Sequence, residues 1–272
     1  TIRIADPLSA FNIVLGNNGE VAFKQTSGTF ELNSLGNRML DYVIAPDGEN
    51  GGTGGNNRIA MDSGSAIIMG GRGEHSITVA ALSSDARNTR WIAGDHAWLA
   101  TDAIGGVNAF SSLDIVDGAG IAQGSTEGGD DVIAIGDAND RNERYLGTNY
   151  ILGGTGDDTV ITSGTIKGDA EDGFFLARGE AISEDVILGD LGLMRWYDSA
   201  ITDGGANEGI PNRLAEVTSG YYLSTSADQL AETDPANRVI IRTDARGIGG
   251  ADTIHTGDGN KLIHGGYGGT PL

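Results

Sequence analysis

The feature that most constrains this chain is that it repeats itself. The stretch from Gly54 to Gly73 reads GGNNRIAMDSGSAIIMGGRG, and the stretch from Gly249 to Gly268 reads GGADTIHTGDGNKLIHGGYG. They align without a gap, with Ile59 on Ile254. A middle copy begins at Gly128 as GGDDVIAIGDAND and closes as GGTGDDTVI, from Gly153 to Ile161. A second phrase recurs outside these blocks: Leu15-Gly16-Asn17-Asn18-Gly19, Ala93-Gly94-Asp95-His96-Ala97 and Leu188-Gly189-Asp190-Leu191-Gly192. The chain therefore divides into about three unequal repeats, about 11–80, 88–164 and 183–272. Units of this kind cannot bury an apolar face alone and must stack on their neighbours.

A shorter period of nine runs inside each block. Gly153-Gly154-Thr155-Gly156-Asp157-Asp158-Thr159-Val160-Ile161 fits G-G-x-G-x-D-x-U-x, where U is a large aliphatic residue. With U as position eight, that position is held by Val14, Ile59, Ile68, Ile77, Ile92, Ile133, Ile151, Val160, Ile187, Ile254, Ile263 and Leu272. All are aliphatic and most are β-branched, so they suit short strands whose side chains form an inward ladder between two sheets. Glycines at positions one, two and four are expected to let the backbone turn with positive φ.

This nonapeptide resembles the RTX (repeats-in-toxin) family, in patches that cover about half of the chain. The resemblance implies an all-β fold, a parallel β-roll or β-helix solenoid with two nonapeptides per coil. It also implies Ca²⁺ between stacked turns, held by the position-six carboxylate and glycine carbonyls, because this ion takes several hard oxygens. Position six reads Asn12, Asn57, Ala66, His75, Arg90, Asp131, Asn149, Asp158, Asp185, Asp252 and Lys261. The first block lacks the acid, and Arg90 and Lys261 put a cation where calcium needs an anion. The best site is therefore expected in the middle block, at Asp131 and Asp158 with Gly128, Gly154 and Gly156. Asp140 is a rival partner for Asp158. Asp252 and Asp258 would form a second site with a coil from beyond Leu272, and Asp185 and Asp190 are outside candidates. The competing reading is that Asp and Asn at turns only hydrogen-bond the local backbone, and it is preferred for the first block.

Composition narrows the function classes. Asp and Glu number 38 against 17 Lys and Arg, and the net charge of −21 argues against a nucleic-acid partner. The 45 glycines coexist with 39% hydrophobic residues, which suits many tight turns between short strands better than disorder. Without Cys there is no disulfide framework or thiolate metal site. No apolar run approaches the roughly 18 residues of a membrane span, so no membrane insertion is expected. The absence of an initiator Met or signal sequence at Thr1 and the motif running to the last residues lead us to expect a segment of a longer or processed protein.

Between the blocks the chain leaves the ladder after each Gly-(Asn/Asp) phrase. Glu20–Phe23 and Thr29–Leu32 alternate like a small hairpin, and the third excursion contains Leu193–Tyr197, Arg213–Val217 and Val239–Ile241. These excursions are expected to be hairpins or loops projecting from one side. Ser226–Glu232 is expected to make one helical turn. Trp91 should pack beside its ladder Ile, and packing is also expected for Trp98, Trp196, Tyr197, Tyr221 and Tyr222. No H-E-x-x-H, G-x-S-x-G or P-loop motif is present. His255 and His264, nine apart, should fall on opposite sheets. The expected role is structural and not enzymatic: a calcium-stabilised extracellular or cell-surface module, exported by a type I route as the resemblance implies. It would form part of an adhesin, surface layer or filament, with other copies of itself or adjoining repeats as partners. The alternatives are a polysaccharide-acting β-helix enzyme or a module that binds surface glycans.

Overall fold

A computed structural model describes residues 1–5, 11–33, 36–45, 54–80, 88–101, 107–112, 115–116, 120–121, 128–136, 147–162, 183–196, 221–222, 239–243, 249–256 and 260–266. In chain order the strands begin with β1 (Ile2–Ile4), β2 (Phe11–Leu15), β3 (Glu20–Phe23), β4 (Gln25–Thr26), β5 (Thr29–Phe30) and β6 (Leu40–Ala45). Next come β7 (Asn57–Met61), β8 (Ser65–Met69), β9 (His75–Val79), β10 (Asn88–Ala93), β11 (Ala97–Thr101), β12 (Val107–Ser111), β13 (Ile115–Val116) and β14 (Gly120–Ile121). They continue with β15 (Val132–Ile135), β16 (Gly147–Gly154), β17 (Thr159–Thr162), β18 (Ser183–Asp190) and β19 (Gly192–Trp196). The last are β20 (Tyr221–Tyr222), β21 (Val239–Thr243), β22 (Thr253–Thr256) and β23 (Asn260–His264). The protein is all-β, and no helix occurs among the described residues. Ser226–Glu232 and Arg213–Val217 lie outside them.

Two six-stranded parallel sheets carry the repeats, in the orders β1-β7-β9-β15-β17-β22 and β2-β8-β10-β16-β18-β23. The chain passes from the first sheet to the second and back, so each repeat adds strands to both. His255 and His264 accordingly lie on different sheets. Position-eight residues are aligned in register: Ile59, Ile77, Ile133, Val160 and Ile254 across the first sheet, with Ile2 of β1 paired to Ile59, and Val14, Ile68, Ile92, Ile151, Ile187 and Ile263 across the second. Except for Ile263, these residues join one core between the sheets. Full burial of each such side chain is worth about 1.5–3 kcal/mol, and a one-residue slip would turn the whole row outward.

The excursions do not project as separate hairpins. They pair with one another in a seven-stranded sheet, β20-β21-β19-β12-β11-β6-β3. Its links β6–β11 and β12–β19 join different excursions in antiparallel register. This sheet lies against the outer face of the second parallel sheet: Val43, Leu99, Phe110 and Met194 pack on Ile67, Met69, Leu152 and Leu188. Apolar residues on that outer face forbid solvent exposure, which is why the excursions fold back. β3 pairs with β6, and the small hairpin is tighter than expected, β4–β5 closed by Ser27 and Gly28 at φ 52° and 80°. Trp91 packs as expected, stacked on Tyr150 (centroids 5.9 Å apart, planes 17° apart) with Phe11 edge-on. Trp98 is buried beside Leu191 and Leu193.

Candidate functional site: an acidic column at the turns

Where the chain crosses directly from the second parallel sheet to the first, the turns are Gly70-Gly71-Arg72-Gly73 and Gly153-Gly154-Thr155-Gly156. Gly71, Gly73, Gly154 and Gly156 have φ of 89°, 121°, 125° and 118°, so positions two and four need glycine for conformation. Position one corrects the expectation. A Cβ on Gly70, Gly94 or Gly153 would meet Gly94 O, Gly153 O or Gly189 O at 2.0, 2.4 or 1.9 Å. There the requirement is room for the neighbouring backbone, not positive φ.

This close stacking brings position six into a column along the first sheet: Asn57, His75, Asp131, Asp158 and Asp252. Each side chain accepts the backbone N–H of the residue before it in the column. Asn57 N donates to His75 Nδ1 (3.1 Å), His75 N to Asp131 Oδ1 (2.6 Å), Asp131 N to Asp158 Oδ1 (2.8 Å) and Asp158 N to Asp252 Oδ1 (3.0 Å). Position five runs the opposite way. Glu74 N donates to Asn56 Oδ1, Asp157 N to Asp130 Oδ1 and Ala251 N to Asp157 Oδ1, at 3.1, 2.9 and 2.7 Å. Two side-chain columns thus staple the edge in both directions, satisfying amides that precede the sheet ladder.

The acids in the column carry an unmet demand. Asp131 and Asp158 are each 1% exposed. Their Oδ2 atoms, and that of Asp252, are buried without a hydrogen-bond partner. Burial pushes the Asp131 carboxyl up to about 9, and the facing Asp95 adds to the rise. Burial likewise pushes Asp158 up to about 10, with Asp131, Asp95 and Asp252 contributing, against the Asp131 N–H that favours the charged form. Asp252 rises to about 7, from burial first and then Asp190 and Asp157. His75 shows the neutral version of the same position. Burial lowers its pKa, its Nδ1 accepts from Asn57, and its Nε2 lies 3.0 Å from Gly71 O. The proton is therefore on Nε2.

Position six on the second sheet behaves differently. Asp185 accepts from Asn149 Nδ2 (2.7 Å), Thr162 Oγ1 (2.7 Å) and Lys261 Nζ (2.6 Å). A lysine supplies the cation within this column, as the position-six reading anticipated. The first-sheet column has no such group among the hydrogen bonds of its three acids.

The structure therefore brings Asp131 and Asp158 together as expected. It also places Asp252 on Asp158, where the sequence reading paired it with a coil from beyond Leu272. Asp140 and Asp258 lie outside the described residues. Gly128 and Gly154 also stand against a further carboxylate, Asp95: a Cβ on either would meet its Oδ2, at 1.8 and 2.4 Å. Gly156 sits against Gly129 O and Asp130. Asp95, 0% exposed, escaped notice in the sequence because it stands at position two, outside the acidic position of the motif. Its recurring phrase was the available signal.

The donor set suits a hard cation in part. Successive carboxylates with unpaired oxygens stand beside the glycine turns, and carboxylate and carbonyl oxygens are the donors that Ca²⁺ accepts. Among the described residues no group of three or more His, Asp or Glu is arranged to hold a metal, so most of any coordination shell would be backbone carbonyl and water. Comparison with family models, curated proteins and solved structures finds no match to this chain.

Proposed function

We propose that this chain is a parallel β-solenoid segment of RTX type with a structural role, stabilised by calcium along one acidic edge. The observation that carries this reading is the column Asp131–Asp158–Asp252: three carboxylates in consecutive stacked turns, each with one oxygen on a backbone amide and the other unpaired. Calcium would neutralise charges that otherwise must be protonated or repel across turns, coupling folding to the ion. Asn57 and His75 continue the column without charge, so the first repeat offers no carboxylate for an ion at this position. A fold that is completed by an ion abundant outside cells suits an extracellular or cell-surface module, as in an adhesin, surface layer or filament. Its partners would be adjoining repeats or further copies stacked on the open sheet edges.

The test is thermal unfolding in chelator and in millimolar calcium. A rise in Tm with calcium, abolished by Asp131→Asn/Asp158→Asn, is the expected result. An unchanged Tm would leave the column as a purely hydrogen-bonded staple.

A further inference from the structure

The three excursions leave the stack at one and the same point of the nonapeptide. Asn17, Asp95 and Asp190 hold position two. Each excursion follows them directly, and the chain re-enters at position three with Gly54-Gly55, Gly128-Gly129 and Gly249-Gly250. In the direct turns position two is Gly71 or Gly154, so Asx and Gly alternate down the stack.

The Asx side chains bridge the break that the departure leaves. Asp95 accepts from Gly129 N (3.3 Å), which lies beyond its own excursion, and from Thr155 N (2.7 Å) and Thr155 Oγ1 (2.9 Å) in the next turn. Asp190 accepts from Gly250 N (2.9 Å), again across its excursion. Asn17 accepts from Asn57 Nδ2 (2.8 Å) and donates to Arg72 O (2.6 Å). The neighbouring glycines also leave room for these groups. A Cβ on Gly249 or Gly266 would meet the Asp190 carboxylate at 2.2 or 2.0 Å, and one on Gly71 would meet Asn17 Cβ at 2.9 Å.

We infer that the Gly-Asx phrase is an exit latch: its side chain closes the turn where the backbone leaves, so the excursions are insertions into an otherwise continuous stack. The choice of residue follows from what it meets. Asp95 receives donors on both oxygens, which an amide cannot do. Asn17 faces one donor and one carbonyl, which only an amide satisfies. The latch is independent of calcium, because its bonds are to backbone and side-chain donors of the chain itself.

Hydrogen exchange by mass spectrometry on the full chain, in chelator and in calcium, tests this. Asp95→Asn should speed exchange at Gly129 and Thr155 by about tenfold or more, the scale of a lost charged hydrogen bond. It should do so in both conditions and leave Ile77 and Ile133 protected. Asn17→Asp should loosen its own turn in the same way. Should Asp95→Asn prevent folding, Thr155→Val removes one bond only and should still speed exchange in that turn. Unchanged exchange in these variants overturns the latch. A change seen in calcium alone also overturns it, making Asp95 an ion ligand while leaving the calcium reading intact.

Discussion

The backbone N–H of Asp131 donates to Oδ1 of Asp158 at 2.8 Å, while Oδ2 of the same carboxylate is buried with no partner. One oxygen is needed by the fold and the other is left for a proton or a cation. This division makes the column sensitive to conditions, and it separates the two roles by mutation.

Asp158→Asn keeps an acceptor for the Asp131 amide and removes the charge. In chelator at pH 8 the variant should melt higher than the parent by about 2–4 °C or more, the shift expected of about 1 kcal/mol in a chain near this size. It should also lose most of the stabilisation by calcium. Differential scanning calorimetry with and without the ion reads both. A variant that melts lower in chelator would show that the ionised carboxylate itself stabilises the fold.

The metal-free protein should lose stability as pH rises. Asp252, Asp131 and Asp158 have folded values of about 7, 9 and 10, above the unfolded value near 3.8. The folded state therefore holds more protons than the unfolded state between these limits, and unfolding becomes easier with pH. Their contribution is fully present below about pH 4 and is lost progressively as pH rises from there, until it has passed the folded values of about 7, 9 and 10. Urea midpoints in chelator from pH 5 to 9 should fall, and calcium should flatten the slope. A midpoint that rises across this range would contradict the protonated column.

Gly94 should tolerate no side chain. Its Cβ would stand 2.1 Å from Asp131 Oδ2 and 2.4 Å from Gly153 O. Gly94→Ala is expected to cost about 1–3 kcal/mol through forced displacement of the adjacent turn. Gly28→Ala, whose Cβ meets nothing within 4 Å, is strained by its φ of 80° instead but should spare the calcium response. Chemical denaturation of the pair checks this.

Ile133 and Val132 give the core its own control. Ile133 is fully buried between Ile77 and Val160, whereas its neighbour Val132 is 44% exposed. Ile133→Ala should cost about 2–5 kcal/mol and Val132→Ala within about 0.5 kcal/mol. Equal effects in urea unfolding would mean that the register is wrong.

The parallel pairing, its register and the identity of the core were legible because they follow from local periodicity. A residue every nine positions that is always aliphatic leaves one way to align the strands with that row facing inward. The pairing of Asp131 with Asp158 was legible for the same reason, as stacked equivalents of one motif position. By itself, then, the sequence determined the repeating strands, their inward face and the acidic edge. Three things were decided only in the tertiary structure. The excursions became one antiparallel sheet, since no local pattern tells β6 that its partner is β11 in another repeat. Asp252 joined Asp158 across an excursion of unrelated length, because stacking in space and not distance along the chain sets its neighbour. Asp95 acquired its three donors from two different turns, a convergence that exists only once the stack has closed.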